Sequence, residues 1–305
     1  MLLAPKSEGL GITLGWAGAL AFPKPSGQCR KWNARGALRE ICQDKLPFYP
    51  WMEEKLRRLP GMQVMDPADW LVVDEAYSPQ MTYREELLAE RRDQVYQMSD
   101  AATPAAEEVL AAILASLAVT PGYAFSDGAV TCPDGRVVRI ADGPPLVQAA
   151  RLVQEDLVLM EKRGAEYALS GAVLCFPASW SLAEKFNRGL IGIHQPVEDY
   201  DDDIARRVGR MFDLIKPERP MWRANALVYG NPDLHQPRRG DARRKTDPKG
   251  RLWARIERQG LRRLANTGVV VFTIHTYVVP LEAVPEPARG KLLERRQSFG
   301  LAGLA

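Results

Sequence analysis

Histidine is scarce in this chain, with three among 305 residues, so His194, His235 and His275 are weighed one by one. Four cysteines, at 29, 42, 132 and 175, form no Cys-x-x-Cys pair and no zinc spacing. Neither a disulfide framework nor a structural metal is expected from them, and a reducing cytoplasm fits. An excess of one charge is also lacking. The 41 Lys+Arg against 38 Asp+Glu leave +3, too little to argue a nucleic-acid or anionic-membrane partner. The uncharged run at residues 10–22, LGITLGWAGALAF, imitates a secretory segment. Its preceding Lys6 is balanced by Glu8, and the run is too short to span a bilayer, so an N-terminal extension is the preferred reading. No internal repeat or glycine-rich phosphate loop is visible, since Gly189 and Gly192 lack the dinucleotide spacing. Present instead are 46% hydrophobic and 26% charged residues, the composition of a folded globular protein with a sizeable core.

Residues 1–46 carry Gly, Pro and Ser without sustained periodicity, so irregular structure is expected there, with the organised protein starting near Pro47. The spacing of Leu87, Leu88, Arg91, Val95 and Met98 predicts an amphipathic helix over 82–98. Thr103-Pro104 then starts a second helix through Val109, Ile113 and Leu117. Asp134-Gly135 and Arg163-Gly164 each separate two apolar runs and read as hairpin turns. A short helix is expected from Pro145 to Gln154, and Ser181 is placed to cap another. Ile204, Val208, Met211, Phe212 and Ile215 fall on one helical face. Strands are expected at 221–229, 252–261 and 269–279. The whole is α+β.

His194 lies in IGIHQPV, where Pro196 restricts the backbone just past the imidazole. A stiffened flank suits an axial metal or haem ligand, and a satisfied core histidine is the competing reading. In VVVFTIHTYVV, alternation puts Val270, Phe272, Ile274, Thr276 and Val278 on an apolar face and Thr273, His275 and Tyr277 on the other. That polar face meets either solvent or a ligand pocket. Arg255, Glu257 and Gln259 alternate together on the preceding strand, and Arg223 and Asn225 share one side of theirs. An arginine so placed can pair with a carboxylate, and an asparagine can hydrogen-bond a substrate. His235, in the loop PDLHQP, reads as structural. The acidic run at 198–203 lacks calcium-loop spacing and reads as complementing a helix N-terminus. The basic stretch at 237–251 reads as a solvated insertion.

Five segments in order, DPADWLVVDEAY from Asp66, QEDLVLMEK from Gln154, CFPASWSLAEKFNRGLIGIHQPVEDY from Cys175, LHQP from Leu234 and RIERQGLRRLANTGVVVFTIHTY from Arg255, resemble the alpha subunit of the haem-dependent oxidative N-demethylase family. The resemblance covers about residues 47–284. It implies a PAS-like curved antiparallel sheet with flanking helices, its core at about 123–280, elaborated by N-terminal helices and followed by a C-terminal helix or tail at 285–305. It also implies haem b and the oxidation of a methylated secondary amine such as dimethylamine, releasing formaldehyde. Electrons would come from an NADPH-dependent flavin and iron–sulfur reductase subunit, and a folate-binding subunit would take up the formaldehyde. By the same resemblance His194 is the candidate iron ligand, Arg223 and His275 are candidate cofactor contacts, Asn225 and Tyr277 are candidate catalytic groups, and Asp199 is a candidate holder of the amine's charge.

Two positions depart from the family pattern: Ala226 stands where a tryptophan is expected and His275 where an arginine is expected. Both are expected to face the pocket, and a histidine neutral at pH 7 does not replace a guanidinium. A haem-binding sensor or carrier on the same fold is the alternative function, and a cofactor-free interaction subunit a third.

Overall fold

The computed structural model describes residues 30–32, 38–57, 61–140, 143–194, 202–238 and 250–298, with the backbone alone at 30–32, 38–40, 194, 202–206 and 296–298. It is an α+β structure. In chain order the strands are β1 (Arg30–Trp32), β2 (Leu38–Glu40), β3 (Gln63–Val64), β4 (Tyr96–Met98), β5 (Ala124–Ser126), β6 (Ala129–Thr131), β7 (Val137–Arg139), β8 (Asp156–Arg163), β9 (Glu166–Val173), β10 (Met221–Tyr229), β11 (Trp253–Arg263) and β12 (Val270–Pro280). The helices are α1 (Glu54–Arg57), α2 (Tyr77–Glu90), α3 (Arg92–Val95), α4 (Thr103–Leu117), α5 (Pro145–Ala150), α6 (Leu182–Lys185), α7 (Leu190–His194), α8 (Asp202–Leu214) and α9 (Ala288–Ser298).

Seven strands form the main sheet in the order β3-β10-β11-β12-β8-β9-β4, every neighbouring pair antiparallel. The long strands are rich in β-branched and aromatic residues and are bounded by turns that the sequence marks. Gly164, at φ 64°, turns β8 into β9, and Gly135, at φ 83°, turns β6 into β7 within a separate three-stranded sheet; both backbone conformations favour glycine.

Strand register divides the sheet's residues between two faces. On the first lie Trp222, Ala224, Ala226, Ile256, Arg258, Gly260, Thr273, His275 and Tyr277. Leu46, Trp51, Ala288 and Leu292 pack with Ala224, Ile256 and Tyr277 of this face. Further along it, Leu157, Leu159 and Val271 share a cluster with Trp70, Met81, Val109 and Ile113, which places α2 and α4 over this side. On the second face lie Arg223, Asn225, Arg255, Glu257, Gln259, Ile274 and Thr276. Here Val158, Met160, Leu261 and Ile274 pack with Leu182, Leu190, Phe212 and Ile215, so α6, α7 and α8 cover it.

Several expectations are corrected. The helix expected over 82–98 begins at Tyr77, where Asp74 accepts from the Ala76 N–H, and ends at Glu90 because Arg91 leaves helical geometry (φ −138°, ψ 36°). Tyr96–Met98 instead pairs with Gly171–Val173, giving the exposed edge of β9 a backbone partner. The N-terminal stretch is not wholly irregular, since β1 pairs with β2 and Ile41 is buried in the core. Cys42 is disulfide-bonded, whereas Cys132 and Cys175 are free and buried. This single bridge is not a disulfide framework, and the sequence did not point to it; spacing rules detect compact metal and redox motifs and pass over a lone bridge. The Ser181 hydroxyl donates to Glu184 and caps no backbone N–H. Among the described residues no helix is long and apolar enough to cross a membrane.

Candidate functional site

Three consecutive strands bring a row of polar groups together on the second face. Asn225 of β10, Glu257 of β11 and Thr276 of β12 are direct neighbours across the ladder. Asn225 Nδ2 donates to Glu257 Oε2 at 3.1 Å, and its Oδ1 accepts the Glu257 N–H at 3.3 Å. Gln259 Nε2 also donates to Glu257 Oε2, at 3.2 Å, and the Arg255 guanidinium stands 3.6 Å from Glu257 Oε1. The carboxylate therefore has its partners, and the Asn225 amide is fixed in direction.

Arg223 occupies the next row, opposite Gln259. Burial pulls the pKa of its guanidinium down, Glu257 opposes that, and the positive charge of Arg295 adds to the lowering. Its Nε is buried without a hydrogen-bond partner, and so is the Thr276 hydroxyl oxygen. A half-buried guanidinium with a buried, unused N–H favours an anion, because a partly desolvated charge is stabilised by pairing and hydrogen bonding. Thr276 was expected on a purely apolar face. The structure keeps it with Ile274, as alternation requires, but register adds the polar residues of β10 and β11 to that same face.

His194 ends α7, whose body packs on β9 and α8. Its side chain and Asp199 lie outside what is described, as do most of the acidic run and the basic loop.

His275 and Tyr277 point from the first face, away from Arg223 and Asn225. Neither meets open solvent: His275 is fully buried. Its Nε2 donates to Asp74 at 3.1 Å and its Nδ1 to Glu155 at 3.1 Å. Burial disfavours the imidazolium, but the two carboxylates hold it, and its pKa is pushed up to about 9. The expectation of a neutral histidine at pH 7 is corrected: carboxylates from two distant segments keep it charged. Burial raises the Asp74 pKa, yet the bonds from His275, Gln154 and Gln43 hold it below the ordinary carboxylate value. Tyr277 stacks at a tilt on His275, ring centroids 4.6 Å apart. Burial and the Asp74 charge push its phenol pKa up. With Phe48, Trp222, Arg258 and Asp69 it lines a cavity of about 570 Å³. The departing position Ala226 belongs to this same face, beside Ile256 and one strand from Tyr277.

Four of the motif segments, with Arg84 of α2, meet in a buried polar scaffold. Asp156 accepts from the Cys175 and Phe176 N–H groups at 2.8 and 2.9 Å and pairs with Arg84 at 3.0 Å, both side chains wholly buried. Arg255 donates to Phe176 O at 2.6 Å and Leu234 O at 3.1 Å. His235 Nδ1 bonds Cys175 O at 2.8 Å, as a structural histidine does. Asp74, Glu155, Asp156 and Arg84 were not singled out in the sequence. The available signal was charge embedded in apolar runs, as in LVVDEAY and QEDLVLM, because a buried charge persists only with a partner.

Among the described residues no group of three or more His, Cys, Asp or Glu is arranged to hold a metal ion. A family model described as haem-dependent oxidative N-demethylase, alpha subunit-like, matches residues 61–298.

Proposed function

We propose a function from the premise that this chain belongs to the haem-dependent oxidative N-demethylase, alpha subunit-like family: it binds haem b and removes a methyl group from a secondary amine such as dimethylamine. The sheet order β9-β8-β12-β11-β10, with α6, α7 and α8 between β9 and β10, supports a PAS-like reading of the core.

The second face is the proposed cofactor surface. A haem takes four iron bonds from its porphyrin and needs one protein ligand, so a cluster of metal-binding side chains is not required. Its propionates require cations, and the half-buried Arg223, whose buried Nε has no partner, is the observation that carries the assignment. His194, on the helix covering that face, is the proposed iron ligand. When bound, haem supplies oxygen activation and hydrogen removal from the N-methyl carbon.

The chain's own residues bind, orient and exclude water. Arg223 pairs with a propionate carboxylate. Glu257 holds the Asn225 amide so that its second N–H can meet substrate without rotating. The Thr276 hydroxyl offers a donor in a dry wall, and Asp199 takes the charge of the protonated amine. His275 and Tyr277 act from the opposite face, through the strand they share with Thr276. Overall, one oxygen atom of dioxygen leaves in formaldehyde with the former methyl carbon, and the other leaves as water. The balance needs two electrons and two protons. Being alpha-subunit-like, the chain takes the electrons from a partner, for which an NADPH-dependent flavin and iron–sulfur reductase is proposed, with a folate-binding subunit receiving the formaldehyde.

The test supplies haem-loaded protein with dimethylamine, dioxygen and a reductase of that class. Formaldehyde formed in step with amine loss supports the reading. Haem and carbon monoxide binding without formaldehyde from any methylated amine would favour a sensor or carrier.

A further inference from the structure

Helix α7 has five residues, too few to persist on local hydrogen bonding alone, so tertiary contacts must fix its position. Those contacts sit at both ends. Before it, Asn187, at φ 59°, turns the chain, and its N–H donates to Leu169 O at 2.9 Å. Leu169 N–H returns a bond to Arg188 O at 3.1 Å, and Gly189 bridges Ala168 of β9. At the helix start, Glu166 Oε1 accepts the Ile191 N–H at 3.0 Å, satisfying a donor that a helix N-terminus leaves open. The Glu166 carboxylate fills the space where a side chain on residue 189 would begin: a Cβ there would stand 2.1 Å from its carbon and nearest oxygen. At the helix end, the buried Lys185 of α6 donates from Nζ to Ile193 O, the carbonyl of the peptide that leads into His194.

We propose that Glu166 and Lys185 are positioning residues that clamp α7 to β9 and α6 and thereby set the angle at which His194 approaches the iron. The inference rests on the reading of His194 as the haem ligand. Glu166 fixes the start of the helix and Lys185 its last peptide, leaving the short segment little freedom to rotate. A ligating imidazole is sensitive to such rotation, and loss of a group that orients a metal ligand typically costs about 10–100-fold in affinity.

The experiment uses the full chain loaded with haem b. It reads the iron–histidine stretching band of the ferrous protein and the rate of haem transfer to apomyoglobin, with thermal melting alongside. Lys185→Met and Glu166→Ala should each shift or broaden the band and speed haem loss about 10–100-fold, while Lys185→Arg restores most of the wild-type behaviour. Gly189→Ala should reproduce Glu166→Ala by displacing the carboxylate. If His194→Ala abolishes the band but Glu166→Ala and Lys185→Met leave it and the transfer rate unchanged, the clamp is refuted and the ligand assignment stands. If His194→Ala leaves the haem spectrum unchanged, the ligand assignment falls and takes the clamp with it. Should Lys185→Met fail to fold, the Glu166 and Gly189 variants decide.

Discussion

At position 275 an imidazolium sits between Asp74 and Glu155, each 3.1 Å away, with no solvent contact. Its pKa rises on folding from 6.5 to about 9, so the folded protein binds this proton more tightly. The resulting stabilisation is fully present below pH 6.5 and is lost as pH rises through about 9. Melting temperature should therefore decline across that window. Replacing His275 by Asn strands two buried carboxylates, at a cost of about 3–5 kcal/mol, and flattens the alkaline decline; an unchanged profile in that variant would refute the assignment. His275 was singled out in the sequence, but its charge was misjudged because Asp74 and Glu155 stand far from it along the chain. Arg223 is the second test at this scale. Arg223→Ala should weaken haem binding by roughly 10–100-fold, the cost of about 1.4–2.8 kcal/mol expected for a charge-assisted contact, measured by haem transfer; transfer at the wild-type rate would exclude a propionate contact.

Strands β10, β11 and β12 were legible from alternation and turn residues, to within two residues at their ends. Alternation also sorted their side chains correctly into two sets. Which sets of neighbouring strands share a face depends on register, which no single strand encodes, so Thr276 joined Asn225 and Glu257 only in the fold. The misplaced end of α2 has the same origin, since β4 exists because β9 offers an edge. Close approach between elements is testable at Gly260. A Cβ there would lie 2.5 Å from Thr273 Oγ1 and 3.7 Å from the Trp70 ring. Gly260→Ala should destabilise the protein by about 1–3 kcal/mol through overpacking against Thr273, read by denaturant unfolding; a neutral result would show that the Thr273 hydroxyl can turn away.

Across the whole molecule, segments far apart in the chain are joined by buried polar contacts: Asp156 ties Arg84 of α2 to the Cys175–Phe176 backbone, and Arg255 ties Phe176 to Leu234. Four of the sequence segments that carry the family resemblance, those from Gln154, Cys175, Leu234 and Arg255, are thereby joined by buried polar contacts. Breaking it through Arg84→Met leaves a buried carboxylate, so a loss of about 3–5 kcal/mol is expected in equilibrium unfolding. The central claim is that the second face of the sheet receives haem. Absorption titration of the purified chain with haem b, ferric and then dithionite-reduced under carbon monoxide, tests it most directly. One haem per chain, with the Soret shifts of a histidine-ligated, open-sided iron and with weaker binding in Arg223→Ala, is the predicted result. A chain that gains no stoichiometric Soret band would contradict it.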